Sequence, residues 1–138
     1  MPQRILLIED NQTDIDLTRR AFNKIAAGCS LSVKDDGQDA IEYLMSSDCQ
    51  LPHLILLDLK MPRVGGLEVL KQIRKNERTW RIPVVMLTSS NEKCDISAAY
   101  DLGANSYVCK PVDYSVFVDT LQCLVKYWFE INQLPTAS

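Results

Sequence analysis

The sequence lacks most features that would announce a function at once. It has one histidine, His53, which follows Pro52 in a loop and reads as a solvated side chain rather than a chemical one. Cysteines number five, an odd count, and no Cys-x-x-Cys occurs, so neither a disulfide framework nor a zinc site is suggested. They read as small buried hydrophobes or inert surface thiols in a reducing compartment. No apolar run approaches the ~20 residues of a membrane span. The first aliphatic run, Ile5 to Ile8, is too short for a signal-peptide core and stops at Glu9-Asp10. A soluble, cytoplasmic chain without membrane contact is expected. Net charge is −3 and there is no basic run, so nothing supports direct contact with nucleic acid. Internal repeats, low-complexity stretches and linkers are absent as well.

What remains is a chain of 138 residues, 46% hydrophobic, enough for one packed domain. Strand and helix signals alternate along it. Leu54-Ile55-Leu56-Leu57 and Val84-Val85-Met86-Leu87 are short, uninterrupted apolar runs, as in strands buried on both faces. Ile5–Ile8, Leu31–Lys34 and Ser106–Cys109 complete a set of five. Between them lie helical patterns. The first carries Ile15, Thr18, Phe22 and Ile25, with Asn11 or Thr13 to cap it and Gly28 to close it. The second, after the turn at Asp36-Gly37, presents Ala40, Ile41, Leu44 and Met45. The third presents Leu67, Leu70 and Ile73, with Lys71, Arg74 and Lys75 outward. A fourth spans about Glu92 to Leu102, closed by Gly103. The fifth begins near Asp113, and its pattern continues as far as Leu134 before Pro135. Residues beyond Pro135 are expected to fray. Alternation of this kind predicts an α/β fold, a doubly wound five-stranded parallel sheet between two layers of helices, an α/β/α sandwich.

In a parallel sheet every strand ends on the same edge, and ligands bind there. The first strand ends at Glu9-Asp10, the third at Asp58, the fourth at Thr88 and the fifth at Lys110. Singly, each has an ordinary explanation as a helix cap, a turn former or a surface charge. Together they place three carboxylates, a hydroxyl and an ammonium at one edge. Clustered carboxylates repel, and a bound cation relieves them. Hard oxygen ligands with room for water suit Mg²⁺. A carboxylate beside Mg²⁺, a lysine and a threonine hydroxyl can act as nucleophile toward a phosphoryl group.

Glu9-Asp10, Asp58 with Met61-Pro62 and Gly65-Gly66 behind it, Thr88, and Lys110-Pro111 resemble the receiver domain of two-component response regulators. The likeness covers roughly Arg4 to Leu124. It implies the flavodoxin-like strand order 2-1-3-4-5. It makes Asp58 the phosphoacceptor and Asp10 a direct Mg²⁺ ligand. Glu9 would be a ligand through water, and the backbone carbonyl of Lys60 would complete the protein's share. Thr88 becomes the switch hydroxyl, Lys110 the phosphoryl-contacting lysine and Tyr107 the aromatic whose rotamer follows the switch. It also implies a cis bond before Pro111. Glu9 stands where many members have Asp, and Ser89 where a smaller residue is frequent. Lys60 and Ser90 occupy positions that tune phosphoryl lifetime. Arg81-Ile82-Pro83-Val84-Val85, Tyr-Val-Cys-Lys-Pro at Tyr107 to Pro111, and the tail from Tyr127-Trp128-Phe129 to Leu134-Pro135 resemble the short receivers that serve cyanobacterial and other bacterial phytochrome histidine kinases.

The last helix is apolar over more than one face. Phe117, Leu121, Val125 and Trp128 are read as an exposed patch for a two-fold homodimer through the fourth helix, fifth strand and fifth helix. The receiver domain is drawn as 1–127, with 128–138 a C-terminal extension. No DNA-binding or enzymatic domain is expected to follow, so output would be by protein contact. Two other readings compete. An aspartate-nucleophile phosphatase wants a second acid two residues after Asp58, where Lys60 stands. A receiver-like binding module that is not phosphorylated would need a broken site, yet all the acceptor parts are present.

Overall fold

The computed structural model describes residues 2–25 and 28–135. Five strands, β1 (Gln3–Ile8), β2 (Cys29–Lys34), β3 (Leu54–Leu57), β4 (Val84–Thr88) and β5 (Ser106–Cys109), alternate with five helices. These are α1 (Gln12–Ile25), α2 (Gly37–Met45), α3 (Gly66–Lys75), α4 (Lys93–Asp101) and α5 (Tyr114–Lys126). All strand pairings are parallel, in the order β2-β1-β3-β4-β5. Expected fraying past Pro135 concerns residues outside those described.

The sheet's two-residue period sorts the apolar runs into two cores. Leu6, Ile8, Ile55, Leu57, Val84 and Met86 face α2, α3 and α4. Their strand neighbours Ile5, Leu7, Leu54, Leu56, Val85 and Leu87 face α1 and α5. This is why β3 and β4 show no polar alternation: both of their faces are covered. Each fully buried aliphatic side chain contributes roughly 1.5–3 kcal/mol. Four of them in β3 anchor the strand that ends at Asp58.

Helix starts follow their capping residues. Asn11 Oδ1 accepts from Asp14 N at 3.0 Å, Asp36 Oδ1 from Gln38 N at 2.8 Å, and Asp113 Oδ1 from Val116 N at 3.1 Å. Gly103, after α4, has φ +102, a conformation glycine adopts without Cβ strain.

Three expectations are corrected here. Phe117, Leu121, Val125 and Trp128 are not an exposed patch. All four are buried in the core between α1, α5 and the sheet. α5 spends that stripe on its own domain, and a π-helical turn at Tyr127–Ile131 carries Trp128 into the same core. Phe129 and Leu134 also pack there, so residues 128–134 belong to the packed unit. Arg74 does not point freely outward; it donates to four acceptors on neighbouring segments. His53 is not a free loop side chain: its Nδ1 accepts from Arg4 N at 2.9 Å, and its own N donates to Arg4 O at 2.8 Å. That pair extends the β1–β3 ladder by one residue.

Candidate functional site

The carboxyl ends of the strands bring the predicted residues together. Glu9 follows β1 and is 1% exposed, its N–H bonded to Lys34 O on the neighbouring strand. Asp58 follows β3 and is 7% exposed, its N–H bonded to Ile8 O. Asp10 is exposed beside them. One carboxylate oxygen from each of the three lies within 4.8 Å of the others. The two oxygens of Asp58 are not equivalent. Oδ1 accepts from the Leu59 N–H at 2.9 Å, and Oδ2 lies 4.0 Å from Lys110 Nζ.

Lys110 leaves the end of β5 with its N–H bonded to Thr88 O at 2.8 Å. Its ammonium pairs closely with Glu9 Oε1 and lies 3.0 Å from Asp14 Oδ2. The bond before Pro111 is trans, as are all peptide bonds of the described residues, which corrects the cis expectation. Trans is the lower-energy isomer. In the trans arrangement the Lys110 ammonium reaches Glu9, Asp14 and Asp58. Thr88 is buried at 1% exposure, and its Oγ1 accepts from Ser90 N at 3.4 Å. Tyr107 is half-buried, with its hydroxyl donating to Ser90 O at 2.9 Å. Lys60 stands exposed on the loop after Asp58.

Asp14 went unread in the sequence. It sits one turn into α1, where an acid is an ordinary first-turn residue. Its only sequence signal is the four-residue spacing from Asp10. Ser90 does more than its position in the sequence suggests: its carbonyl oxygen receives both Tyr107 Oη and Cys109 Sγ, and its hydroxyl donates to Asp95 at 2.5 Å.

The electrostatics follow from burial. Desolvation pushes the Glu9 carboxyl up to about 7, and Asp58 adds to the rise while Lys110 opposes it. Burial alone would lower the Lys110 pKa, but Glu9, Asp58 and Asp14 overcome that and raise it. Glu9, Asp14 and Asp58 thus share one ammonium, and Asp10 adds a further carboxyl group beside them, an excess of acidic groups over the one cation. An all-oxygen donor set with an exposed member open to water fits a hard divalent cation.

A five-stranded parallel sheet whose carboxyl edge joins an acidic pocket to a lysine and a buried threonine defines a receiver. The chain belongs to the response regulator receiver domain family, whose model matches residues 5–122. It is a two-component signalling protein. It is 38% identical to the probable methanogenesis regulatory protein FilR2 of Methanothrix harundinacea, covering 97% of this chain and 88% of that one. It is 34% identical to response regulator Rcp1 of Synechocystis, over 99% and 95% of the two chains. Among solved structures, the phosphorylated cyanobacterial phytochrome response regulator RcpA aligns with a TM-score of 0.91 at 33% identity, over 99% of this chain and 100% of that one. The Mn²⁺-bound form of Rcp1 aligns with a TM-score of 0.88 at 34% identity, over 98% and 100%.

Proposed function

We propose that this receiver is a cytoplasmic switch that takes a phosphoryl group on Asp58 from the phosphohistidine of a sensor kinase. The observation that carries the reading is the asymmetry of Asp58. Its Oδ1 is fixed by the Leu59 N–H, which leaves Oδ2 as the free nucleophile on the side of Lys110. A lone pair of Oδ2 forms the new O–P bond as the P–N bond breaks, and the bonding pair returns to the imidazole nitrogen of the donor. Lys110 offsets charge on the equatorial oxygens, and the Thr88 hydroxyl donates to one of them. Mg²⁺, held by Asp10 and Asp58, by Glu9 through water and by the Lys60 carbonyl, would neutralise phosphoryl charge during transfer. Once Thr88 turns to the phosphoryl group, its Oγ1 no longer accepts from Ser90 N. The loop carrying the Ser90 carbonyl is then free to release Tyr107. That route couples the acid pocket to the β5 side of the sheet.

Incubation with Mg²⁺ and acetyl phosphate tests the chemistry by intact mass. Gain of one phosphoryl group that disappears in Asp58→Asn is expected. An equal gain in Asp58→Asn overturns the assignment, and sustained turnover of phosphate esters identifies a phosphatase instead.

The partner kinase is proposed to be of the phytochrome type. Support comes from Rcp1 and RcpA, which match over 95% and 100% of their own lengths. FilR2, named for methanogenesis, matches nearly as fully, so a direct test is required. Phosphotransfer from a purified phytochrome kinase at least as fast as from an unrelated histidine kinase supports the pairing; the reverse order overturns it. Output is proposed to pass through a homodimer on the face of α4, β5 and α5. The large apolar side chains exposed on these elements and on the π-helical turn are Tyr100, Val116, Tyr127 and Ile131. A concentration series in the ultracentrifuge showing only monomer, with and without a phosphoryl analogue, would sink the dimer.

A further inference from the structure

At the opposite, amino edge of the sheet lies a cleft of about 640 Å³ that phosphoryl chemistry does not use. Its floor is apolar, built from Leu51, Ile82, Pro83 and Leu134 at the starts of β3 and β4 and in the C-terminal segment. Its rim is cationic. Arg4, Arg78 and Arg81 line it, and Glu77 is the one acid among the lining residues. On a chain of net charge −3, three arginines beside one carboxylate make a local reversal of sign.

The guanidinium groups are largely unspent. Arg4 donates Nε and Nη2 to Leu51 O at 3.0 and 2.8 Å, and Arg78 donates Nη1 to Ser46 O at 3.0 Å. Those bonds fix two of the three heads and leave further N–H donors on each. Arg81 makes no hydrogen bond or ion pair among the described residues, and neither does Glu77. His53 lines the same cleft. Because its Nδ1 accepts from Arg4 N, its ring proton is on Nε2, which is one more donor. Donors outnumber acceptors around an apolar floor.

We propose that this cleft binds a small organic anion, with a carboxylate or phosphoryl head on an apolar body. The fork of an arginine matches both heads, and two arginines already positioned lower the cost of ordering the site. The volume falls within the range of about 300–1,000 Å³ usual for small-molecule sites. A cation is excluded by the rim, and a neutral apolar ligand would leave the guanidinium donors facing it unpaired.

The test is an amide NMR titration of the full chain with benzoate and, separately, phenylphosphonate. Saturable shifts are expected at residues 4, 51, 53, 77–82 and 134, and the tighter ligand identifies the head group. Arg81→Glu, on an exposed side chain without partners, should weaken binding about tenfold or more without altering the rest of the spectrum. Arg78→Ala should weaken it less. Shifts confined to the Asp58 edge, no saturable shift with either ligand, or an unchanged Kd in Arg81→Glu would overturn the proposal.

Discussion

Lys110 Nζ lies 3.0 Å from Asp14 Oδ2 and 4.0 Å from Asp58 Oδ2, so the ammonium is nearer a helix carboxylate than the proposed nucleophile. To meet an incoming phosphoryl group it must loosen from that neighbour. The Asp14 side chain is 36% exposed, so its hold on Lys110 is screened and modest. Asp14→Asn keeps the shape and removes one of the two acids that compete for the ammonium, Glu9 being the other. Loading from acetyl phosphate should become about 2–5-fold faster, the rate equivalent of ~0.5–1 kcal/mol. A rate that is unchanged or slower would mean that Asp14 does not hold Lys110 back.

Glu9 carries the pH dependence. Burial raises its folded pKa from 4.5 to about 7, so the protonated form favours the fold. The contribution is fully present below about 4.5 and is lost as pH rises through about 7. In the absence of divalent cations, Tm of the wild type should fall relative to Glu9→Gln by on the order of 5 °C between pH ~5 and ~8. Subtracting the variant's curve removes titrations the two proteins share, His53 included. Mg²⁺ should reduce the fall, since a bound cation stabilises the ionised carboxylate. Parallel melting curves for the two proteins across this range would remove Glu9 from the account.

Most of this edge was legible because one geometric rule does much of the work. If all strands are parallel, the residues that end them must meet, and Glu9, Asp10, Asp58, Thr88 and Lys110 each end an apolar run. The register bears the rule out, with Leu57 level with both Ile8 and Met86. Asp14 was not legible, because its role depends on where a long lysine from a strand some hundred residues later comes to rest. The stripe Phe117, Leu121, Val125 and Trp128 was legible as apolar but not as covered. Helical periodicity gives the width of a face, while the sheet and α1 decide how much of it is buried. Arg74 misled for a related reason. A basic residue on the outer side of an amphipathic helix looks solvated unless one knows that two carbonyl-rich turns fold up against it.

Gly66 begins α3 directly behind Asp58. A Cβ there would fall on the Asp58 carbonyl oxygen and 2.8 Å from Leu59 Cα, both backbone atoms that cannot step aside. Gly65, one residue earlier, has 3.6 Å of clearance to Leu59 O and an ordinary φ of −78. Gly66→Ala should therefore cost about 2–3 kcal/mol in urea unfolding and slow phosphoryl loading, because the displaced backbone carries the Leu59 N–H that fixes Asp58. Gly65→Ala should cost under ~1 kcal/mol and load normally. Equal effects of the two substitutions would show that close approach of α3 is not what shapes the Asp58 loop.

Arg74 separates stability from chemistry. Its guanidinium donates to Gly103 O at 2.9 Å, Trp80 O at 3.0 Å, Ile82 O at 2.8 Å and Asn105 Oδ1 at 2.8 Å. Asn105 Oδ1 in turn accepts from Val84 N at 2.8 Å, so the cluster ties the end of α3 to the start of β4 and the turn before β5. Burial lowers the Arg74 pKa, but a guanidinium stays charged at any working pH. Arg74→Ala takes the donor from the part-buried Gly103 and Ile82 carbonyls, and a loss of about 1–3 kcal/mol is expected. Arg74→Lys should recover less than half of it, because one ammonium cannot span four acceptors set in a fork. Phosphoryl loading of the folded fraction should stay close to wild type, since the cluster ties the starts of β4 and β5 and the acid pocket lies where the strands end. Full rescue by lysine would reduce the role of Arg74 to charge alone. A loading defect at wild-type stability would instead tie this cluster to the switch.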